Sequence, residues 1–157
     1  MSTHAPEYLA TDVPADAKIV IIAARFNSDI VDELLAGAQR QLLKLGVSDD
    51  RLNVYRVPGA FELPVAAKWA ADSKKYAAVI CLGAVIRGDT PHFDYVAGEA
   101  ARGIAAVSIA AGVPVIFGVL TTNTHQQALD RIGGSHGHAG ERAAEAALEM
   151  IALKNHI

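Results

Sequence analysis

Four short apolar runs recur along the chain, and each is followed by a turn of small residues and then a helical pattern. The runs are Lys18–Ala24 (KIVIIAA), Arg51–Val57 (RLNVYRV), Tyr76–Leu82 (YAAVICL) and Pro114–Leu120 (PVIFGVL). Three of them are apolar nearly throughout instead of alternating with polar residues, which is the pattern of strands buried on both faces, while Arg51–Val57 alternates Leu52, Val54 and Tyr55 less cleanly. Strand and helix alternate four times. That order predicts an α/β fold: a three-layer αβα sandwich around a four-stranded parallel sheet.

The punctuation fits. Ser28 or Asp29 is positioned to cap a helix carrying Ile30, Leu34, Ala38, Leu42 and Leu45 on one stripe, and Gly46 stops it. Pro58-Gly59 breaks the second run before a helix from about Phe61 to Ser73, with Pro64 in its first turn. The third helix runs from about Pro91 to Ala111, with Thr90 as its cap and Gly112 at its end. A short helix over Thr124 to Ile132, the glycine-rich turn GGSHGHAG and a final helix from Glu141 to Lys154 complete the chain. Residues 18–157 read as one domain, and residues 1–17 as a flexible arm or an edge strand laid on a neighbour.

Composition narrows the partners. With 157 residues, 52% of them hydrophobic, the chain has more apolar surface than one small domain readily hides, so an oligomer is expected. A net charge of −3 offers no basic field to nucleic acid or to a membrane surface. The lone Cys81 lies in an apolar run, which leaves no disulfide framework and suits a reducing compartment. There is no secretory leader pattern and no long apolar span, and a cytoplasmic location is expected.

In parallel α/β sheets the ligand binds beyond the carboxyl ends of the strands. The loops there hold Arg25-Phe26-Asn27, Pro58-Gly59-Ala60-Phe61-Glu62, Arg87-Gly88-Asp89-Thr90-Pro91-His92 and Thr121-Thr122-Asn123. Phe26 can stack on a flat heterocycle or pack in the core. Glu62 can accept hydrogen bonds from hydroxyls or serve as a solvated first-turn acid. Asp89 and Thr90, at a helix start, can offer donors to phosphate. Arg131 can close on the same anion with its guanidinium fork or sit on a helix surface. His92, beside that anion, can carry a proton or be an exposed first-turn residue. The helix dipole there disfavours its charged form and a bound phosphate favours it.

Five ordered segments then carry a specific resemblance: ARFN (Ala24–Asn27), VPGAFELP (Val57–Pro64), GAVIRGDTPHFDYV (Gly83–Val96), GVPVIFGVLTT (Gly112–Thr122) and ALDR (Ala128–Arg131). From about Lys18 onward the chain resembles the lumazine synthases, which have a flavodoxin-like sheet. The resemblance implies condensation of 5-amino-6-(ribitylamino)uracil with 3,4-dihydroxy-2-butanone 4-phosphate, giving 6,7-dimethyl-8-ribityllumazine, phosphate and water, the penultimate step of riboflavin synthesis. It implies no metal or organic cofactor. Phe26 would stack on the uracil, Ala60, Phe61 and Glu62 would hold uracil and ribityl chain, and Ala84, Val85 and Ile86 would line the pyrimidine. Asp89, Thr90 and Arg131 would bind the butanone phosphate, His92 would move protons, and Phe117 would reach the neighbouring subunit's site. Sites between the subunits of a homopentamer follow, with riboflavin synthase a candidate partner.

One departure stands out. Many family members carry a lysine in the glycine-rich turn, and Ala139 occupies that position here, with His136 and His138 either on an exposed loop or substituting for it. The same kink accompanies assembly of pentamers into sixty-subunit icosahedral shells; it is present here but atypical, and leaves the shell open. A binding or shell-forming protein that has lost catalysis, and a regulatory flavodoxin-like domain, are the competing readings.

Overall fold

The computed structural model describes residues 6–10 and 12–157. The four apolar runs become β1 (Ile19–Ala24), β2 (Leu52–Val57), β3 (Ala78–Ile86) and β4 (Val115–Thr122). All pair in parallel, in the order β2-β1-β3-β4. The helices are α1 (Ser28–Lys44), α2 (Leu63–Asp72), α3 (His92–Ala111), α4 (His125–Leu129) and α5 (Ala139–His156). A small antiparallel ladder, β5 (Ile132–Gly134) with β6 (Gly137–His138), lies between α4 and α5.

The sheet is apolar on both faces because a separate core packs against each. Ile19, Ile21, Ala23, Ile80 and Leu82 face α1 and α5 residues such as Leu34, Leu42 and Leu148. Their neighbours Val20, Ile22, Val79 and Cys81 face Leu63, Ala67, Ala100 and Ile104 of α2 and α3. This two-sided burial explains why the inner strands show no alternation. The edge strand β2 departs from the expectation of a sheet covered throughout: Asn53 to Arg56 are exposed, because α1 and α2 pack over β1 and β3 rather than over β2.

Several boundaries differ from the sequence expectation. Neither Ser28 nor Asp29 caps α1; Asn27 does, in a left-handed conformation (φ 56°). α2 begins two residues late, after a 3₁₀ turn over Ala60–Glu62. Pro91, not Thr90, holds the cap position of α3, although Thr90 Oγ1 accepts the His92 N–H at 3.4 Å. α5 begins at Ala139, so the glycine-rich segment is a hairpin leading straight into a helix.

α1 and α5 approach closely. A Cβ on Gly37 would lie 2.0 Å from His138 Cε1, and one on Gly140 2.1 Å from the Leu34 carbonyl oxygen. Of the leading segment, Tyr8, Ala10 and Val13 pack against the α1/α5 core, and the Leu9 N–H donates to Glu149 Oε1 at 2.9 Å. The rest of that expectation falls on residues 1–5 and 11, which lie outside the described residues. Among the described residues no helix is long and apolar enough to cross a membrane.

Cys81 is fully buried in β3, and burial pushes its thiol up to about 12. A disulfide reagent such as Ellman's should therefore leave the native protein unmodified over minutes and titrate one thiol per chain in denaturant, because only the thiolate reacts.

Candidate active site

The loops at the carboxyl edge of the sheet are stitched to one another. The Arg25 and Phe26 N–H groups donate to the Val57 and Pro58 carbonyls at 2.8 and 3.1 Å, so the loop after β1 lies along the loop after β2. Asn27 Nδ2 donates to the Ala84 carbonyl at 2.8 Å, tying the same loop to β3. β1 is the strand at which the sheet order reverses, its neighbours being β2 and β3, which is the position in parallel α/β sheets at which ligands bind.

Phe26 is 72% exposed, so it is not a core residue. Its backbone is held while its ring stays open to solvent. Phe61 is exposed as well, whereas Ala60 is buried. Gly83 of β3 lies close to that turn: a Cβ there would be 3.6 Å from Ala60 Cβ and 3.3 Å from Leu63 Cδ1. Glu62 has a local bond: its Oε2 accepts the Gly59 N–H at 2.9 Å, which steadies the turn and leaves the second oxygen for other partners. Ala84, Val85 and Ile86 belong to an extended β3 that runs four residues past the expected end, paired through Ile86 with Thr122.

The Asp89-Thr90-Pro91 segment joins β3 to α3, which begins at His92, and all four residues are exposed. Its organiser is Arg87, a residue without a role in the sequence reading. The Arg87 N–H donates to the Thr122 carbonyl at 2.9 Å, Nε donates to Asn123 Oδ1 at 3.0 Å and Nη2 to Asp94 Oδ1 at 3.1 Å. Its guanidinium lies over the Phe93 ring at 4.2 Å from the centroid. Arg87 thus joins the loops after β3 and β4 and pins the first turn of α3. Its cue is the pairing of a cationic residue at a strand end with an acid in the following helix turn.

Arg131 is half-buried just past α4, with Nη1 donating to the Gln127 carbonyl at 2.7 Å. Ala139 lies beside it: the Ala139 N–H donates to the Arg131 carbonyl at 2.8 Å, and its side chain packs against the α1/α5 core. His138 is 9% exposed, not a loop histidine; its Nδ1 accepts the Glu141 N–H at 3.4 Å and caps α5. Burial pushes its imidazole below the ordinary value, against the opposing pull of Glu141. His136 stays exposed, with Nδ1 3.0 Å from Ser135 Oγ.

Phe117 is not at this edge in the same chain. It pairs with Cys81, five residues before Thr122 at the end of β4, about 16 Å along the strand at roughly 3.3 Å per residue. It is 44% exposed on the face shared with Val115 and Val119. Among the described residues no group of three His, Cys, Asp or Glu side chains is arranged to hold a metal ion.

A flavodoxin-like parallel sheet with its loops gathered at the carboxyl edge defines a small-molecule enzyme or binder of the α/β class. The sequence model of the 6,7-dimethyl-8-ribityllumazine synthases matches residues 16–155. A 6,7-dimethyl-8-ribityllumazine synthase of Desulfotalea psychrophila is 53% identical over 149 residues, 94% of this chain and 96% of that one. Another of that name, from Desulfatibacillum aliphaticivorans, is 55% identical over 133 residues, covering 85% and 86%. The chain belongs to the 6,7-dimethyl-8-ribityllumazine synthase family, transferases of riboflavin biosynthesis.

Proposed function

We propose that the carboxyl edge of this sheet joins 5-amino-6-(ribitylamino)uracil to 3,4-dihydroxy-2-butanone 4-phosphate, releasing 6,7-dimethyl-8-ribityllumazine, phosphate and water. The observation that carries this reading is Phe26, an aromatic ring left 72% exposed on a backbone that bonds to its neighbouring loop. Leaving such a ring in water forgoes the stabilisation of burying it, and a stacked heterocycle would recover it. Ala60, Phe61 and Glu62 flank the uracil and ribityl chain, and Ala84, Val85 and Ile86 line the pyrimidine. Asp89, Thr90 and Arg131 take the phosphate, with backbone donors at the start of α3 and a guanidinium fork from beyond α4.

The chemistry asks for approximation and proton transfer. The amine adds to the ketone carbonyl and water leaves, phosphate is eliminated, and the second amine closes the ring with further loss of water. Holding both substrates in register can supply several kcal/mol, up to about 7 to 11 in ideal cases. His92, next to the phosphate donors, gives and takes protons at the carbonyl oxygen and the substrate carbon.

The active unit in this reading is a homopentamer with sites between subunits. Phe117, five residues back along β4, then completes a neighbour's site instead of its own. Exposed Val54, Tyr55, Val65, Trp69 and Tyr95 give such an assembly apolar surface to bury. Shell formation and association with riboflavin synthase extend the same reading, as do a cytoplasmic location and residues 1–17 as an arm or an edge strand beside one domain at residues 18–157. Mixing purified protein with both substrates and following lumazine absorbance and fluorescence tests it. A rate well above the spontaneous one is expected; ligand binding without acceleration would show a binder that has lost catalysis.

A further inference from the structure

The start of α1 and helix α4 are joined by a pair that none of the roles above uses. His125 Nε2 and Asp29 Oδ2 lie 2.5 Å apart, 96 residues apart in sequence. Asp29 stands in the first turn of α1, two positions beyond Asn27, and its bond to His125 is the main cause that holds its carboxyl below the ordinary range. The side chains are 53% and 59% exposed, so the pair adds little to global stability. What matters is the place it occupies. α4 has only five residues; Ala128 anchors one face of it in the α1/α5 core, and its other hydrogen bonds are local: Gln127 N–H to Thr124 Oγ1 at 3.1 Å and Asn123 N–H to Gln127 Oε1 at 2.8 Å. Arg131 follows directly; its carbonyl is held by the Ala139 N–H, but its guanidinium is bonded to the Gln127 carbonyl, so the orientation of the fork follows that of α4. Arg87 holds the other side of this segment through Asn123. His125 fastens it toward α1.

We propose that Asp29 and His125 are positioning residues for the phosphate-bearing substrate: their pairing fixes α4, and with it Arg131, against the loop that carries Phe26. The proposal rests on the assignment of Arg131 to the substrate phosphate. Neither residue touches substrate in this scheme, so removing the pair should loosen the clamp and spare the proton chemistry.

The test is steady-state kinetics on the assembled enzyme, varying each substrate at saturating concentrations of the other, for His125→Ala, Asp29→Ala, the double variant, His125→Gln and Arg131→Ala. Each single alanine variant should raise the KM for the butanone phosphate roughly tenfold, since a misplaced binding group forfeits orientation. The uracil KM and kcat should move less than about twofold, since the uracil contacts are retained and the phosphate contact that is weakened is made equally in the bound substrate and in the transition state. The double variant should be no worse than either single one, the signature of residues acting as one unit. His125→Gln, whose amide can donate to Asp29, should stay near the parent. An unchanged butanone phosphate KM in the single variants, or effects that simply add, would overturn the proposal. If Arg131→Ala raises that KM and His125→Ala does not, the pairing alone fails. If Arg131→Ala leaves it unchanged, the clamp assignment fails and takes the pairing with it.

Discussion

Gly140→Ala should cost about 3 kcal/mol or more of stability, at or above the upper end of the usual overpacking loss, because the wall it meets cannot yield. The new Cβ would lie 2.1 Å from the Leu34 carbonyl oxygen, 2.9 Å from its carbon and 3.1 Å from Leu34 Cα. These are backbone atoms in the middle of α1, beside the buried Leu34 side chain, so relief requires the whole helix to move off α5. That movement would open the core in which Leu34, Ala144 and Leu148 are sealed from water. Gly37→Ala meets a different obstacle, the His138 ring at 2.0 Å. A ring can swing away, at the expense of the cap it gives to the Glu141 N–H, so a loss nearer about 1 to 2 kcal/mol is expected. Urea unfolding followed by circular dichroism, at one fixed protein concentration because association contributes to the midpoint, ranks the two variants. A Gly140→Ala unfolding free energy within about 1 kcal/mol of the parent, the size of an ordinary substitution, would contradict the close approach of α1 and α5.

How far that contact was legible in the sequence depends on what the pattern records. Burial on both faces left β1 and most of β3 as apolar runs, and these runs gave the layers and the parallel sheet. The ends of β3 and β4 were hidden, because the third apolar run breaks at Gly83 and Thr121 and Thr122 read as loop residues, while the ladder continues to the Ile86–Thr122 pair. The β5–β6 hairpin rests on the pairs Ile132–His138 and Gly134–Gly137, too few to impose alternation. His138 sits among glycines and so resembled an exposed histidine. Its burial comes from Gly37, a hundred residues earlier, where the lack of a side chain makes room for the ring. The loops that hold Phe26, Ala60, Glu62, Asp89, Thr90 and His92 were legible because strand ends locate them. Arg87 and His125 were not, since their partners Asn123 and Asp29 lie 36 and 96 residues away.

His92→Ala should reduce kcat by roughly 10²- to 10³-fold while leaving the KM for the uracil substrate within about threefold of the parent, the usual effect of removing a general acid–base group that binds no substrate. The side chain is exposed at the first position of α3, and it is the backbone N–H of His92 that reaches Thr90 Oγ1. Truncation should therefore leave the helix start, and the fold, intact. Phe26, Ala60 and Glu62 keep the uracil, and approximation of the two substrates persists, so turnover should fall without vanishing. Imidazole added to the variant should restore part of kcat in a concentration-dependent way, because a free base can enter the space of the missing ring. A purely structural histidine would not respond to it. A raised uracil KM with unchanged kcat, or no loss of rate at saturating substrates, would remove His92 from proton transfer and make it a contact residue or a bystander.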